Sequence, residues 1–380
     1  ASIRKLRNNL LEHDGSLVGR SLSVEQGLAE DAHTVARLAS LLAAKVNTTT
    51  QVKHYKLLKQ AQTALSQIMR HGLLIDWDSF EIANGMSSAK DIAAHRGNDD
   101  RVRSYCAPFT TITGRLACSG SSLQSFPNDL KHTVVAPEGR VLVDADYKQS
   151  EMRIAASLAN DTELQELLSA GHDIHRETAS RLFHVPAEQV TLEQRQIAKA
   201  VNFGFLFGQR PKGLRKSLEA EGIPYTLEAS AELLNGFVRS YPLLYEWQRS
   251  LRNDCRTVDR SCRTFPPTGI RTALGRRIPV YTLHYAHETK IVNYAVQGSG
   301  AELTLLVLGM LRERLVGLDA KIIHCIHDEF LLEAAEDDAE QAATILAQTM
   351  TDAFTQLFPG APTGHLLDCG IGKTWAEAKG

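Results

Sequence analysis

Several features are missing from this 380-residue chain, and each absence narrows its possible class. No apolar run is long enough to cross a bilayer, since the longest, residues 303–311, lies between Glu302 and Arg312. Nothing at the N-terminus resembles a signal peptide. The six cysteines form no Cys-x-x-Cys pair, so a zinc site is not expected. We therefore predict a soluble cytoplasmic protein with free thiols and no membrane partner.

A net positive charge is also absent, because the formal charge at pH 7 is −2. The cations are nevertheless clustered. Six lie within residues 195–216 without any acid, and eight arginines lie within residues 249–277 against two aspartates. Such basic stripes can follow a phosphate backbone while the remaining surface stays acidic. Taken alone, either stripe is more simply explained as a solvated helix face.

The segment from Arg195 to Gly208 combines two cations and two aromatic rings at a regular spacing. Arg195, Lys199, Phe203 and Phe207 follow one another at steps of four. On a helix with 3.6 residues per turn such steps drift by only about 40° each, so the four side chains share one face. Cations there can bind phosphate oxygens, and rings can stack on a base. An amphipathic helix with buried aromatics and solvated charges explains the same spacing equally well.

Two further segments carry acidic residues at the ends of apolar strands. Residues 140–146 are predicted to form a buried strand that ends at Asp146, followed by a helix over 149–158. Residues 321–333 contain two apolar runs on either side of His327-Asp328-Glu329, which predicts a tight β-hairpin. One aspartate at a strand end is usually a cap or turn residue. Two of them, with a cationic helix, indicate divalent metal ions and a polyphosphate.

Together these segments resemble motifs A, B and C of the family A DNA polymerases, the DNA polymerase I type. The matches are Asp146-Tyr147-x-Gln149-x-Glu151-x-Arg153, Arg195-x3-Lys199-x2-Asn202-Phe203-Gly204 and His327-Asp328-Glu329. Smaller matches in the family's order lie at residues 113–116, 123–124, 173–179, 275–277, 293–298 and 370–375. The resemblance covers roughly residues 105–380. Each motif alone is a weak signal, but their number and order make coincidence implausible.

The resemblance implies an α+β fold of the right-hand polymerase type, with an antiparallel-sheet palm, helical fingers and a divergent or shortened helical thumb. Its implied boundaries are a thumb-like helical region at 1–104, a palm at 105–161 and 271–380, and fingers at 162–270. Local patterns further predict helices over 35–44, 56–69 and 299–315, and loops at 48–50, 97–100 and 262–269.

The implied reaction is template-directed addition of deoxynucleotides to a primer 3′-hydroxyl, as in DNA replication or DNA repair. Such phosphoryl transfer needs positioning and charge neutralisation more than covalent help. Two Mg²⁺ ions, for which Mn²⁺ can substitute, would activate the primer hydroxyl and neutralise the leaving pyrophosphate. By resemblance the ligands are Asp146, Asp328 and the backbone carbonyl of Tyr147, with Glu329 beside them in a supporting catalytic role.

The same resemblance assigns the substrate contacts. Arg195 and Lys199 would bind the β- and γ-phosphates of the deoxynucleoside triphosphate, with Lys199 as proton donor to pyrophosphate. Glu151 would act as a steric gate against a ribose 2′-hydroxyl. The other deoxynucleotide contacts would be Tyr147, Gln149, His175, Phe203 and Phe207. The positions that match readers of the minor-groove side of primer–template DNA are Arg115, Asn293, Gln297 and His327.

Three positions depart from the family pattern or add to it. Phe207 stands where tyrosine is usual, so Glu151 loses a hydroxyl partner, and we expect weaker sugar discrimination or fidelity than in a tyrosine-bearing relative. Phe203 in place of tyrosine implies poor use of dideoxynucleotides. Asp144 adds a carboxylate on the same strand face as Asp146. A surface or salt-bridged aspartate is the simpler interpretation of Asp144, and a peripheral metal partner is the alternative.

No 3′–5′ exonuclease is expected before the thumb, since residues 1–104 contain no acidic cluster that suggests one. We therefore predict no proofreading by this chain, and a separate exonuclease or processivity protein as a further partner. The expected source is a bacterial cell, a phage or a plasmid.

Two rival classes stay open. Single-subunit RNA polymerases and reverse transcriptases share the palm chemistry. Glu151 and residues 327–329 argue against the former, and an RNA template would test the latter. A DNA-binding pseudoenzyme is the second rival class. Its expected signature is the loss of a metal carboxylate, whereas Asp146 and Asp328 are both present.

Overall fold

The computed structural model of the chain describes residues 49–82, 87–121, 123–256, 270–278 and 288–379. The predicted helix at 35–44 and the predicted loop at 262–269 lie outside these residues. The chain divides into a unit at residues 1–55 and a unit at residues 56–380. The first unit is described only over residues 49–55, which are helical. Every site discussed below lies in the second unit.

The described residues form helices and strands in alternating groups. The α-helices are α1 (Thr49–His71), α2 (Trp77–Ile82), α3 (Ser87–Ala93), α4 (Ser150–Ala159), α5 (Thr162–Ser169), α6 (Ile174–Phe183), α7 (Leu192–Leu206), α8 (Pro211–Ala220), α9 (Leu227–Ser240), α10 (Pro242–Arg256), α11 (Glu288–Arg314), α12 (Ala339–Leu357) and α13 (Trp375–Lys379). The strands are β1 (Leu73–Leu74), β2 (Arg101–Val102), β3 (Ser104–Ala107), β4 (Ala117–Gly120), β5 (Arg140–Tyr147), β6 (Ala320–Ile326), β7 (Glu329–Ala335) and β8 (Leu367–Gly372).

A four-stranded antiparallel sheet in the order β6-β7-β5-β8 forms the centre of the second unit. β5, β6 and β7 are buried along most of their length because apolar clusters cover both faces of the sheet, whereas the edge strand β8 is only partly buried. Val143 and Ala145 belong to the large core cluster on one face, whereas Leu142 packs with Leu331 and Trp375 in a smaller cluster. This antiparallel sheet agrees with the predicted α+β class.

The register of this sheet brings the ends of distant segments together. Asp146 on β5 lies opposite Glu329 on β7 and opposite Asp368 on β8. The two-residue turn between β6 and β7 consists of His327 and Asp328, and His327 has a positive φ of 53°. The predicted hairpin is therefore confirmed, and its turn lies at the sheet edge where β5 ends.

Helix α11 is the longest helix among the described residues, and it includes most of the segment predicted at 299–315. Residues 290–314 within it are long and apolar enough to cross a membrane, and it is the one described segment of this kind. However, 78% of its most apolar window is buried inside the protein, as in a core helix. Its burial explains why nearly all of its faces are apolar.

Helix α7 begins with a capping box, in which the Thr191 hydroxyl accepts from the Gln194 backbone and the Gln194 side chain accepts from the Thr191 backbone. Its buried face carries Ile197, Val201 and Phe205. Lys199 and Phe203 are exposed on the opposite side. The interpretation of this segment as a helix with buried aromatics is therefore wrong for Phe203, which is 39% exposed.

The N-terminal part of the second unit combines a helix with a small layer that packs on the sheet. The predicted helix at 56–69 lies within α1, but Thr49 and Thr50 begin that helix and so do not belong to a loop. Residues 97–100 form the predicted turn, in which the Asp100 backbone donates to Gly97. Leu73, Phe80 and Val102 share a core cluster with the central sheet. The proposed boundary of a thumb at residue 104 stays a prediction.

The expectation that all six cysteines are free thiols is wrong. Cys106 on β3 and Cys118 on β4 form a disulfide. The two residues are 12 apart in sequence, but they are direct partners in the register of the hairpin, and their Cα atoms are 4.1 Å apart. A search for close cysteine spacing misses such a cross-strand pair. Among the described cysteines, Cys325 is a buried free thiol and Cys369 an exposed one.

Candidate active site

A cavity of about 360 Å³ opens where β5 ends, beside the turn between β6 and β7. It is lined from several directions, by the β3–β4 loop, α4, α6, α7 and α11. The predicted site residues that line it are Arg115, Asp146, Tyr147, Gln149, Glu151, His175, Phe203, Gln297, His327 and Asp328. The sheet register and helix packing thus bring together residues from motif A through motif C.

Asp146 and Asp328 face this cavity at the sheet edge. The Tyr147 backbone N–H donates to the Asp328 carbonyl at 3.4 Å, which holds the end of β5 against the hairpin turn. Burial raises the pKa of Asp146 above its ordinary value. Burial and the nearby charge of Asp146 raise the pKa of Asp328 to about 7. Carboxyl groups at one sheet edge whose pKa values are raised by burial favour a bound cation, because the cation stabilises their charged forms.

Glu329 lies beneath this pair and does not line the cavity. Its carboxylate accepts from Lys131 Nζ at 2.8 and 3.1 Å and from Trp375 Nε1 at 2.8 Å. Burial alone would raise the pKa of Glu329, but the hydrogen bonds from Lys131 and Lys379 lower it to about 2. Glu329 is therefore a buried anion held by protein donors.

Asp144 belongs to the same buried network, so the simpler interpretation of it as a surface or salt-bridged residue is wrong. Its side chain is nearly fully buried, and Oδ1 accepts from Trp375 Nε1 at 3.0 Å. Burial and the adjacent Glu329 raise the pKa of Asp144 to about 8. Burial thus disfavours the charged form of Asp144, whereas the hydrogen bonds from the lysines stabilise the charged form of Glu329.

Lys379 approaches the same carboxylates from the C-terminal helix α13. Its Nζ is 2.8 Å from Glu329 Oε2 and 3.2 Å from Asp146 Oδ2. Burial would lower the pKa of Lys379, but the hydrogen bond to Glu329 and the charge of Asp146 raise it above its ordinary value. The Lys379 ammonium is thus a positive charge paired with Asp146 and Glu329.

His175 and Phe203 form the helical wall of the cavity. Asn202 Nδ2 lies 2.8 Å from His175 Nδ1, and burial lowers the pKa of His175 to about 4. The imidazole is therefore neutral, and with Asn202 as donor its hydrogen lies on Nε2. The Phe203 ring lies 5.7 Å from the His175 ring and is stacked on Phe207 at 6.1 Å.

Four predicted site residues besides Glu329 do not line the cavity: Arg195, Lys199, Phe207 and Asn293. Arg195 Nε donates to Asp173 Oδ2 at 2.6 Å, and Asp173 also caps α6 through the backbone N–H of His175. Lys199 is exposed. Arg195 and Lys199 lower the pKa of His175 by their charge, so they act on the cavity electrostatically.

Glu151 on α4 is bound by Arg115, whose Nη2 donates to Oε1 at 2.6 Å. Glu151 therefore has a hydrogen-bond partner in Arg115, although Phe207 has no hydroxyl to offer it. Arg115 lies in the β3–β4 loop directly after Gly114, which has a positive φ of 88°. The Arg276 guanidinium donates to the Thr113 carbonyl and lies over the Phe109 ring at 5.0 Å. These contacts fix the loop that presents Arg115.

On the opposite wall, Gln297 from α11 and His327 from the hairpin turn line the cavity. Burial, together with the charge of Arg115, lowers the pKa of His327. Thr304 Oγ1 donates to the His327 carbonyl at 2.7 Å, so α11 supports the turn. Asn293 Oδ1 is buried and has no hydrogen-bond partner among the residues that the structure describes.

Sequence reasoning missed three neighbours of the site and the contact made by a fourth. Lys131 and Lys379 carry no motif signal, although both contact Glu329. Thr304 lies inside an apolar run that indicates only a core helix. Trp375 belongs to the closing match of the resemblance, which gives no indication of its contact with Asp144.

Three comparisons with known proteins agree on one family. The family model described as DNA polymerase family A matches residues 23–377. The chain is 31% identical to DNA polymerase I of Aquifex aeolicus over 267 residues, covering 70% of this chain and 44% of that protein. It is 33% identical to DNA polymerase I of Pseudomonas aeruginosa over 295 residues, covering 73% of this chain and 30% of that protein. The chain thus spans less than half the length of these curated relatives.

A solved structure has the same fold. It is described as the POL domain of Pol1 from M. smegmatis in complex with DNA primer-template and dNTP. The TM-score is 0.67 at 24% sequence identity, and the match covers 80% of this chain and 52% of that chain.

Proposed function

The chain belongs to DNA polymerase family A, and from this premise we propose that it is a template-directed DNA polymerase. It adds deoxynucleotides to a primer 3′-hydroxyl by phosphoryl transfer. The observation that carries the proposal is the single cavity shared by Asp146, Asp328, Glu151, His175 and Phe203. Carboxylates for metal ions, a donor for phosphate and an exposed ring for a base meet there.

The residues at the sheet edge fit divalent metal ions. The described residues contain no group of three or more His, Cys, Asp or Glu side chains with metal-binding geometry. Mg²⁺ is usually held by one or two carboxylates, with substrate phosphates and waters completing its shell. Asp146, Asp328 and the Tyr147 carbonyl are the proposed ligands. The chemistry that two bound ions supply is activation of the primer hydroxyl and neutralisation of pyrophosphate.

The helical wall would bind the triphosphate. His175 presents a neutral Nε2–H donor, because its Nδ1 is occupied by Asn202. Arg195 is positioned by its pair with Asp173, and Lys199 is exposed on the same helix. We assign Lys199 the transfer of a proton to the leaving pyrophosphate, because an exposed ammonium can turn toward the phosphates without a desolvation cost. The exposed Phe203 ring, supported by Phe207, would contact the sugar and base.

Primer–template DNA would lie across the other walls. Arg115, Gln297 and His327 line the cavity, and the buried Asn293 oxygen has no hydrogen-bond partner within the described part of the chain. The Arg115 guanidinium and the Gln297 side-chain amide can donate to the minor-groove acceptors that A·T and G·C pairs share. In this proposal residues 105–161 and 271–380 form the palm, residues 162–270 the fingers and residues 1–104 a thumb-like region. A processivity protein or a separate exonuclease would act in trans.

The test is extension of a labelled primer on a DNA template with Mg²⁺ and the four deoxynucleotides. Asp328→Asn keeps the size of the side chain and removes its charge, and we expect it to lower the rate by at least about 10³-fold. The matched control is Asp337→Asn, which changes an exposed aspartate outside the cavity and should leave extension unchanged.

Two other results would contradict the proposal. Wild-type protein that binds the duplex without extending the primer would be a DNA-binding pseudoenzyme. Extension with equal efficiency on an RNA template would identify an RNA-templated polymerase. A primer with a mismatched 3′ end tests the accompanying proposal that this chain does not proofread, since excision of the mismatch would overturn it.

A further inference from the structure

We propose that Lys379 is an internal counter-ion of the metal site, bound to Asp146 in the metal-free protein and displaced when a divalent cation binds. The inference rests on the proposed role of Asp146 as a metal ligand. Lys379 Nζ is 3.2 Å from Asp146 Oδ2 and 2.8 Å from Glu329 Oε2, so it bridges the two carboxylates.

Ion pairs join two of these carboxylates to lysines in the metal-free protein. Asp146 and Glu329 contribute two negative charges, and Lys131 and Lys379 contribute two positive charges within the same contact network. A divalent cation at Asp146 therefore meets an ammonium that already occupies one carboxylate oxygen.

Of the two lysines, Lys379 is the one that can give way. The Lys131 side chain is only 6% exposed, and its ammonium lies over the Trp375 ring at 4.0 Å. The Lys379 side chain is 34% exposed, so its ammonium can leave Asp146 toward water without entering the apolar interior. Glu329 stays paired with Lys131 and Trp375 after this movement.

Two consequences follow for the metal-free protein. Lys379 keeps Asp146 ordered beside Asp328, because it neutralises part of the repulsion between the carboxylates. The same contact weakens binding of a metal ion alone, because the ion must first break an ion pair. A nucleotide triphosphate that brings its own metal ion offsets this cost with phosphate contacts, so the device favours loading of metal together with substrate.

The experiment measures binding of Mn²⁺ alone by electron paramagnetic resonance of the free ion, without DNA or nucleotide. We expect Lys379→Met to bind Mn²⁺ roughly threefold to tenfold more tightly than the wild type, the range of a partly exposed ion pair. Lys379→Arg keeps the charge and should bind as the wild type does. Lys373→Met is the matched control, because it removes a C-terminal lysine paired with Glu336.

A second readout does not depend on metal affinity. In EDTA we expect Lys379→Met to melt at a lower temperature than the wild type, and in saturating Mn²⁺ the difference should narrow, since the ion replaces the missing charge. A folded Lys379→Met protein that binds Mn²⁺ with unchanged or weaker affinity would overturn the inference while leaving the proposed function intact. If Asp146→Asn binds Mn²⁺ as tightly as the wild type does, Asp146 is not a metal ligand, and both proposals are wrong.

Discussion

Arg115 Nη2 and Glu151 Oε1 are 2.6 Å apart, and this ion pair joins the β3–β4 loop to the first turn of α4 across the mouth of the cavity. Both side chains are only partly exposed, at 32% and 24%. In the proposed polymerase, Glu151 is the group that excludes a ribose 2′-hydroxyl. The position of Glu151 is therefore set by Arg115, a residue whose proposed role is contact with DNA.

Replacement of Arg115 by methionine should loosen this gate. We expect incorporation of a ribonucleotide relative to the matching deoxynucleotide to rise several-fold, to about tenfold, because Glu151 loses the donor that orients it. The measurement is kcat/KM for one CTP and one dCTP addition. The ratio cancels any loss of DNA binding that affects both nucleotides. Arg277→Met, an exposed arginine outside the cavity, should keep the wild-type ratio, and an unchanged ratio in Arg115→Met would refute the prediction.

The effect of Phe207→Tyr should depend on Arg115. In the wild type Glu151 already has a strong partner, so the added hydroxyl should change sugar discrimination less than about twofold. In the Arg115→Met background the hydroxyl is the replacement donor, and discrimination should partly recover. A double-mutant cycle on the CTP to dCTP ratio measures this coupling. Additive effects of the two substitutions would contradict a shared partner.

The Lys131–Glu329 pair is the structural support under the metal-site carboxylates. Lys131→Met removes a buried ammonium and leaves Glu329 in the interior with fewer donors. We expect the free energy of unfolding in urea to fall by about 3 kcal/mol or more, the usual effect of breaking a buried pair. The double variant Lys131→Met with Glu329→Gln should regain part of this loss, since the uncompensated charge is gone.

The matched control for this prediction is Lys148→Met. Lys148 also pairs with a carboxylate near β5, but both partners are well exposed, at 40% for Lys148 and 64% for Asp368. Its removal should change the free energy of unfolding by less than about 1 kcal/mol. If Lys131→Met and Lys148→Met lowered the free energy of unfolding equally, burial would not make the Lys131 pair more stabilising than the exposed one, and the prediction would be wrong.

The sequence predicts those parts of the site that local patterns determine. An apolar run with Asp146 at its end identifies β5, two runs around residues 327–329 identify the hairpin, and a spacing of four identifies the outer face of α7. Resemblance then supplies the roles of these residues. The family match and the antiparallel sheet confirm the family and the fold class, whereas the roles of single residues stay predictions.

Contacts between distant segments could not be predicted in this way. Lys131 and Glu329 are 198 positions apart, and Lys379 and Asp146 are 233 apart. An apolar pattern indicates that a strand is buried but leaves its register undetermined, and it is the register that puts Asp146 opposite Glu329. The same limitation explains the disulfide, since Cys106 and Cys118 are neighbours only once β3 and β4 pair.

The disulfide should stabilise the hairpin that presents Arg115. Closing a loop of this length restricts the unfolded chain, and the expected contribution to the free energy of unfolding is about 3 kcal/mol. Cys106→Ser, or treatment of the wild type with dithiothreitol, should lower the melting temperature, and Cys369→Ser should not. Thiol titration of the unfolded, unreduced protein should give two fewer thiols than the reduced protein. A full complement of six would show that the bond does not form.

His324 should make the protein less stable in acid. The imidazole is buried on β6, where Nε2 lies 3.2 Å from the Leu123 carbonyl, and burial lowers its pKa to about 4. Between pH 6.5 and pH 4 the unfolded chain therefore takes up a proton that the folded protein excludes. The free energy of unfolding thus decreases as the pH is lowered, by up to about 1.4 kcal/mol per pH unit.

His324→Gln keeps a donor for Leu123 and removes this titration. Its free energy of unfolding relative to the wild type should thus rise by about 3 kcal/mol from pH 7 to pH 4 in urea titrations. His175 is present in both proteins, so its own contribution cancels, and His132→Gln is the control for loss of an exposed imidazole. Parallel curves for His324→Gln and the wild type would mean that His324 accepts a proton in the folded protein.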